Sequence, residues 1–202
     1  MKEVNRIDIP GIDSFEKRLE ACKESDYDSN ESSKDWYNVA IETLGNDKIQ
    51  ILEIHDENTN GMKGPCEPGT GFFAFTKANG LSQKNDGSGG SWGWGKNAIF
   101  NVSTLRTFFV STKYQDDDGS EKSLAMGKTI LASHELNGKS FNNSGYYGVE
   151  SENKSQGIIP FEGDEDIEKH ASWLRRRDIG TSIFTVGFKN QSDWENKLIG
   201  TL

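Results

Sequence analysis

The chain has 202 residues, 33% hydrophobic and 27% charged, with 32 acidic and 23 basic side chains and a formal charge of −9. This is the composition of a polar globular chain, long enough for one domain with its own core or for two small ones. No stretch approaches the roughly 18 apolar residues of a membrane helix, the N-terminus MKEVNRIDIPG has no apolar signal region, and the average surface repels nucleic acid.

In chain order, DSFEKRLEACKE (13–24) sets Phe15, Leu19 and Cys22 on one helical face, with Asp13 or Ser14 as the cap. Residues 33–44 form a second amphipathic helix through Trp36, Val39, Ala40, Ile41 and Leu44, ended by Gly45-Asn46-Asp47. IQILEIHD (49–56) is a buried strand that runs into the polar turn DENTNGMKGP. GFFAFTKANG is a short helix stopped by Gly80, LSQKNDGSGG is a mobile loop, and GKNAIFNVST is a helix with Ala98, Ile99 and Val102 inward. LRTFFVSTKY and KSLAMGKTILAS pair as strands around the turn QDDDGSEK. The Asp116-Asp117-Asp118 run lacks calcium-loop spacing and reads as a solvated turn. Residues 138–160 carry no clear pattern. A helix over 164–176 leads to the strand GTSIFTVGF, and QSDWENKLIG begins another helix. This interleaving predicts an α+β domain, its sheet mixed or mostly antiparallel, with helices on one face.

Cys22 and Cys66 have no metal-ligand spacing, and His55, His134 and His170 are scattered, so no zinc site is expected. Two isolated thiols fit a reduced, cytoplasmic protein. Any nucleic-acid contact would need a local patch, for which Arg175-Arg176-Arg177, with Lys169 and His170, is the best candidate. It closes a helix, where cations favour the negative end of the dipole.

The stretch GGSWGWGKN (89–97) falls one residue short of a Walker A loop, because Asn97 stands where the magnesium-binding hydroxyl belongs. No strand precedes it, and the Walker-B-like strand ILEIHDE comes before it rather than after, so a P-loop is rejected. Four glycines ahead of a helix and Lys96 still make an anion site through free N–H groups and the helix dipole.

Three stretches together resemble the GHKL (Bergerat-fold) ATPases, which include gyrase-type topoisomerases, histidine kinases and ninety-kilodalton heat-shock chaperones. ILEIHDENTNGM looks like the adenine-binding box, a strand ending in D-x-G-x-G-M, with Asp56, Gly61 and Met62 matching and one extra residue between. GGSWGWGKNAIFNVSTLRTFFVSTK is similar to the second, glycine-rich box, with Gly90, Gly93 and Gly95 matching. DIGTSIFTVGF looks like the late G-T box through Gly180 and Thr181. The likeness covers about 48–188 and extends to bacterial relatives of Microrchidia ATPases, which occur near DNA-modification and phage-defence genes.

The resemblance implies a two-layer α/β sandwich binding ATP and Mg2+. Asp56 and Thr181 would read adenine, Met62 would pack on it, and Gly90, Gly93, Gly95 and Lys96 would hold the phosphates. The family's early E-x-x-x-N helix, which supplies the general base and the magnesium ligand, is matched only formally by Glu42 and Asn46. Residues 1–47 then read as a helical insertion, 48–188 as the nucleotide core and 189–202 as the start of a further element, in one domain incomplete at its N-terminus. Two function classes stay open. One is an ATP-binding domain whose missing helix comes from an upstream segment or partner, touching DNA only through a larger assembly. The other is an inactive regulatory or partner-binding module. Neither involves a membrane.

Overall fold

The structure is a computed structural model that describes residues 1–25, 31–78, 94–153 and 155–189, without the side chains of 31–33 and 94–97. The helices are α1 (Ile12–Glu24), α2 (Glu31–Leu44), α3 (Gly71–Thr76), α4 (Trp94–Asn101) and α5 (Asp164–Ala171). The longer strands are β1 (Lys2–Asn5), β2 (Lys48–His55), β3 (Ser103–Gln115) and β4 (Glu121–Ile130). Short strands follow: β5 (His134–Leu136), β6 (Lys139–Phe141), β7 (Ser144–Tyr147), β8 (Val149–Glu150), β9 (Ile158–Ile159) and β10 (Phe161–Glu162). β11 (Gly180–Phe188) comes last.

Seven strands form the main sheet in the order β1-β2-β11-β3-β4-β10, with β7 also on β4. Every pairing among them is antiparallel. The fold is an α+β sandwich, and the sheet carries no parallel pair where a mixed one was allowed for. The last long strand, β11, is inserted between β2 and β3, so the two ends of the candidate nucleotide core lie side by side.

Alternation along β3 and β11 sends side chains to two faces. On the first face, Leu105, Phe109, Phe184 and Val186 pack with Phe15 and Leu19 of α1, Ala40 and Leu44 of α2, and Ile167 of α5. Trp36 anchors α2 there by donating its indole N–H to the Thr104 carbonyl at 2.8 Å. On the second face, Phe108, Val110, Leu124 and Met126 meet Phe72 of α3 and Phe100 of α4. Helices therefore cover both faces rather than one, because the 71–76 and 94–101 segments carry their own aromatic anchors. The Phe75 and Phe100 rings sit edge-on to Phe108 at 5.6 and 5.2 Å.

Several local expectations change. Gly11, with φ 68, precedes α1 and no side chain caps it; Asp13 and Glu16 instead turn to Arg6. In α2 the inward residues are Tyr37, Ala40 and Leu44, while Val39 is 51% exposed. In α4 Ile99 and Phe100 face the sheet, and Val102 follows the helix at 40% exposure. β2 is buried on one side only, since Ile49 and Ile51 are inside but Ile54 is 57% exposed. The helix expected over 164–176 stops at Ala171 and continues as a single 3-10 turn, Ser172–Leu174. The segment over 138–160 resolves into short hairpins. The loop at 81–90 and the tail helix over 191–200 lie outside the described residues.

At the first turn of α5, Asp164 accepts hydrogen bonds from the Ser123 hydroxyl at 2.6 Å and Lys113 at 3.2 Å. The Ser123 hydroxyl and then Lys113 hold its carboxyl below the usual carboxylate range, against burial. Burial pulls the Lys113 ammonium down, but its bonds to Glu121 and Asp164 outweigh this and raise it. A carboxyl held low when folded stabilises the protein above its unfolded value, about 3.9, and stops doing so as pH falls through the lower folded value. Asp164→Asn is therefore expected to cost about 0.5–1 kcal/mol at neutral pH, screening included. The two proteins should converge at acid pH, once it falls through the lowered folded value. Urea melts at both pH values check this, and a gap of constant size would refute the assignment.

Candidate functional site

β2 ends at His55, and Asp56 continues its pairing with β11 by one more bond, donating its N–H to the Thr181 carbonyl at 3.0 Å. The Thr181 N–H donates back to Asp56 Oδ1 at 2.6 Å, across 125 residues of sequence. Among the described residues Oδ2 has no hydrogen-bond partner. Arg176 braces the junction by donating to the Asp56 carbonyl at 3.0 Å and to the Ser182 hydroxyl. Gly180 makes the approach possible: its φ is 143, and a Cβ there would sit 2.6 Å from Asp56 Oδ1.

The turn after Asp56 folds back over the second face. Asn58 and Gly61 take positive φ, 56 and 68. Gly61 lies so close to β3 that a Cβ would be 2.3 Å from the Lys113 carbonyl oxygen. This contact sets Met62, whose N–H is shared between Thr112 Oγ1 at 2.8 Å and Thr181 Oγ1 at 3.1 Å. The two hydroxyls are 3.5 Å apart on paired positions of β3 and β11. Thr112 is fully buried, and its hydroxyl also reaches the carbonyls of Met62 and Gly180, both at 3.2 Å. A hydroxyl has one proton and two lone pairs, so this group is satisfied inside the fold, while Thr181 retains 9% exposure.

Asp56, Gly61, Met62 and Thr181 therefore form one cluster at the end of β2, β11 and β3. α4 covers the same face through Phe100 and Ile99, with Gly95 and Lys96 in its first turn. Gly90 and Gly93, and the Lys96 side chain, lie outside the described residues. The cavities beside α1, beside β5 and between β4 and β10 are lined by other residues.

Comparison with family models, curated proteins and solved structures gives no match.

Glu42 and Asn46 are not brought to this cluster. Glu42 lies in the last turn of α2 and Asn46 just beyond its end, and α2 packs on the first face, whereas the Thr112 and Thr181 hydroxyls point to the second. Asn46 uses its amide to cap the Glu42 and Thr43 carbonyls at 3.3 and 3.1 Å, a helix-end role. Among the described residues no group of three His, Cys, Asp or Glu is gathered as for a metal. Burial pushes the Cys66 thiol up despite a 3.7 Å contact with Thr76. No helix of the described residues is long and apolar enough to cross a membrane.

Two participants escaped sequence reasoning. Thr112 is an unremarkable strand hydroxyl until the β3–β11 register sets it opposite Thr181. Arg176 looked like one of three cations at a helix end, yet its guanidinium turns back to β2 while Arg175 pairs with Glu168 at 3.3 Å. Only the alternation of Phe108, Val110 and Thr112 hinted at the first; nothing local marked the second.

Proposed function

We propose that the Asp56 cluster is the adenine-reading end of a nucleotide site, in an ATP-binding domain of the GHKL type. The reading rests above all on the hydrogen-bonded junction of Asp56 and Thr181 at 2.6 Å. An ionised carboxylate only accepts hydrogen bonds, and an oxygen without a protein partner suits the exocyclic amine of adenine. The Thr181 hydroxyl stands beside it for a bridging water, and the half-buried Met62 thioether offers a soft surface for the purine. The positive end of α4, with Gly95 and Lys96, would meet the phosphates on the same face.

The same geometry favours binding without turnover by this chain's own residues. Glu42 is on the wrong face to position water, and a missing general base typically costs 10²–10⁴, roughly, in rate. The described residues do not fit Mg2+ either, since the amide of Asn46 is spent on its helix end. A regulatory or partner-binding module is the second reading, favoured by this separation of α2 from the cluster. The two free thiols fit a cytoplasmic setting, and any link to DNA would run through a larger assembly.

Calorimetry with ATP tests the site. Asp56→Asn should weaken binding about ten- to hundredfold, the worth of a charged hydrogen bond. Its melting temperature should hardly move, because an amide oxygen still accepts from Thr181. Equal affinity of the two proteins would sink the assignment. Magnesium-dependent hydrolysis lost in Glu42→Ala would sink the no-turnover reading alone.

A further inference from the structure

A cavity of about 550 Å³ opens on the far side of the sheet from the Asp56 cluster, between α1, the β5–β6 hairpin and β7, with β11, β3 and β4 intervening. Its charge is unusual for a chain at −9, because the lining includes Arg18 and no Asp or Glu. Arg18 forms no ion pair among the described residues. Its guanidinium lies over the Phe141 ring, 4.0 Å from the centroid. His134 aims it. This imidazole is 3% exposed and stacks on Phe141 at 5.4 Å. Its Nδ1 is 3.0 Å from the Ala132 carbonyl, which can only accept, so Nδ1 carries the proton. Nε2 is then a lone pair and accepts from Arg18 at 3.4 Å. A buried neutral histidine is thus spent on orienting one cation, and the guanidinium's other N–H groups remain for a ligand.

The remaining walls agree in character. α1 begins beside the cavity at Gly11 without a side-chain cap, so its positive end faces the same space. The acids of its first turns, Asp13 and Glu16, are turned away to Arg6. Phe141 and Tyr147 supply aromatic wall, the latter with its ring edge-on to the buried Phe15 at 6.1 Å. The Tyr147 ring is partly open, while its hydroxyl turns inward to Thr107 and Thr129.

We propose that this cavity binds a small organic carboxylate with an aromatic body, its carboxylate taken by the fork of Arg18 and its ring by the aromatic walls. One unpaired cation matches one negative charge, and the guanidinium fork matches the two oxygens of a carboxylate. The site is independent of the nucleotide reading and stands or falls separately.

Ligand-observed NMR on the full chain tests it, with benzoate as probe and benzamide as its neutral isostere. Benzoate should bind and benzamide should bind at least about tenfold more weakly, as expected when a charge-assisted hydrogen bond is lost. Arg18→Gln should erase the difference, with an unchanged amide spectrum elsewhere showing that the protein is folded. Equal binding of benzoate and benzamide to the unaltered protein would overturn the proposal, with no variant needed. So would phenyl phosphate displacing benzoate at lower concentration, or benzoate binding that survives in Arg18→Gln.

Discussion

Gly61→Ala should destabilise the protein by about 2–4 kcal/mol and remove the proposed ATP binding together with it. Two costs add. The residue has φ 68, a conformation that costs a side-chain-bearing residue about 1–2 kcal/mol. The new methyl would also lie 2.3 Å from the Lys113 carbonyl and 3.1 Å from Thr112 Oγ1, both on β3 in the middle of the sheet. Backbone of a central strand does not give way, and overpacking typically costs about 1–3 kcal/mol. Relief requires the turn after Asp56 to lift, which breaks the bonds from the Met62 N–H to Thr112 and Thr181. Gly69 is the control. It also has positive φ, 106, but nothing lies within 4 Å of its would-be Cβ. Gly69→Ala should therefore cost the conformational part alone and leave binding intact. Urea denaturation and ATP titration of both variants check this. If the two cost the same within about 0.5 kcal/mol, the close approach of the turn to β3 is wrong.

Phe109→Ala should cost still more, about 3–5 kcal/mol, the range for truncating a fully buried phenylalanine. Phe109 is 0% exposed and sits on the first face, its ring 5.1 Å from Tyr147 and 5.3 Å from Trp173. It also fills the space over Gly127 on the neighbouring strand, where a Cβ would meet its ring at 2.6 Å. Removing it leaves a cavity beneath α1 and the 3-10 turn that follows α5. The Asp56 cluster lies on the other face, so the folded fraction should keep the proposed nucleotide binding. Gly127→Ala alone should also destabilise, but less so in the Phe109→Ala background, where the methyl has room. Denaturation midpoints of the four proteins measure that coupling. Additive effects, or a Phe109→Ala loss under about 1 kcal/mol, would show that the ring does not fill this space.

The long elements were legible because each carries a period that packing respects. α1 buries Phe15, Leu19 and Cys22 as their spacing requires. The β3–β4 hairpin follows from two apolar runs around a polar turn, where Asp118 bonds the Ser120 N–H at 2.8 Å. Reading failed where one residue type can serve either face. Ile54 belongs to an apolar run, yet period two turns it to the side of β2 that is left open at 57% exposure. Val39 and Val102 match a helical pattern but lie past the edge of the buried stripe. The hairpins between β5 and β9 are too short, and too rich in glycine and asparagine, to carry any period.

By itself the sequence determined the α+β class, the local elements and the residue types gathered in the three glycine-bearing stretches. These depend on periodicity and turn chemistry, which act over a few residues. The tertiary structure alone decided that β11 is inserted between β2 and β3. That placement joins Asp56 to Thr181, recruits Thr112 and Arg176, and leaves Glu42 and Asn46 across the sheet. The E-x-x-x-N spacing of Glu42 and Asn46 is present in the chain, but spacing fixes only a position along a helix. The face on which that helix packs is set by where Tyr37, Ala40 and Leu44 find apolar partners, and those partners come from strands far away in sequence.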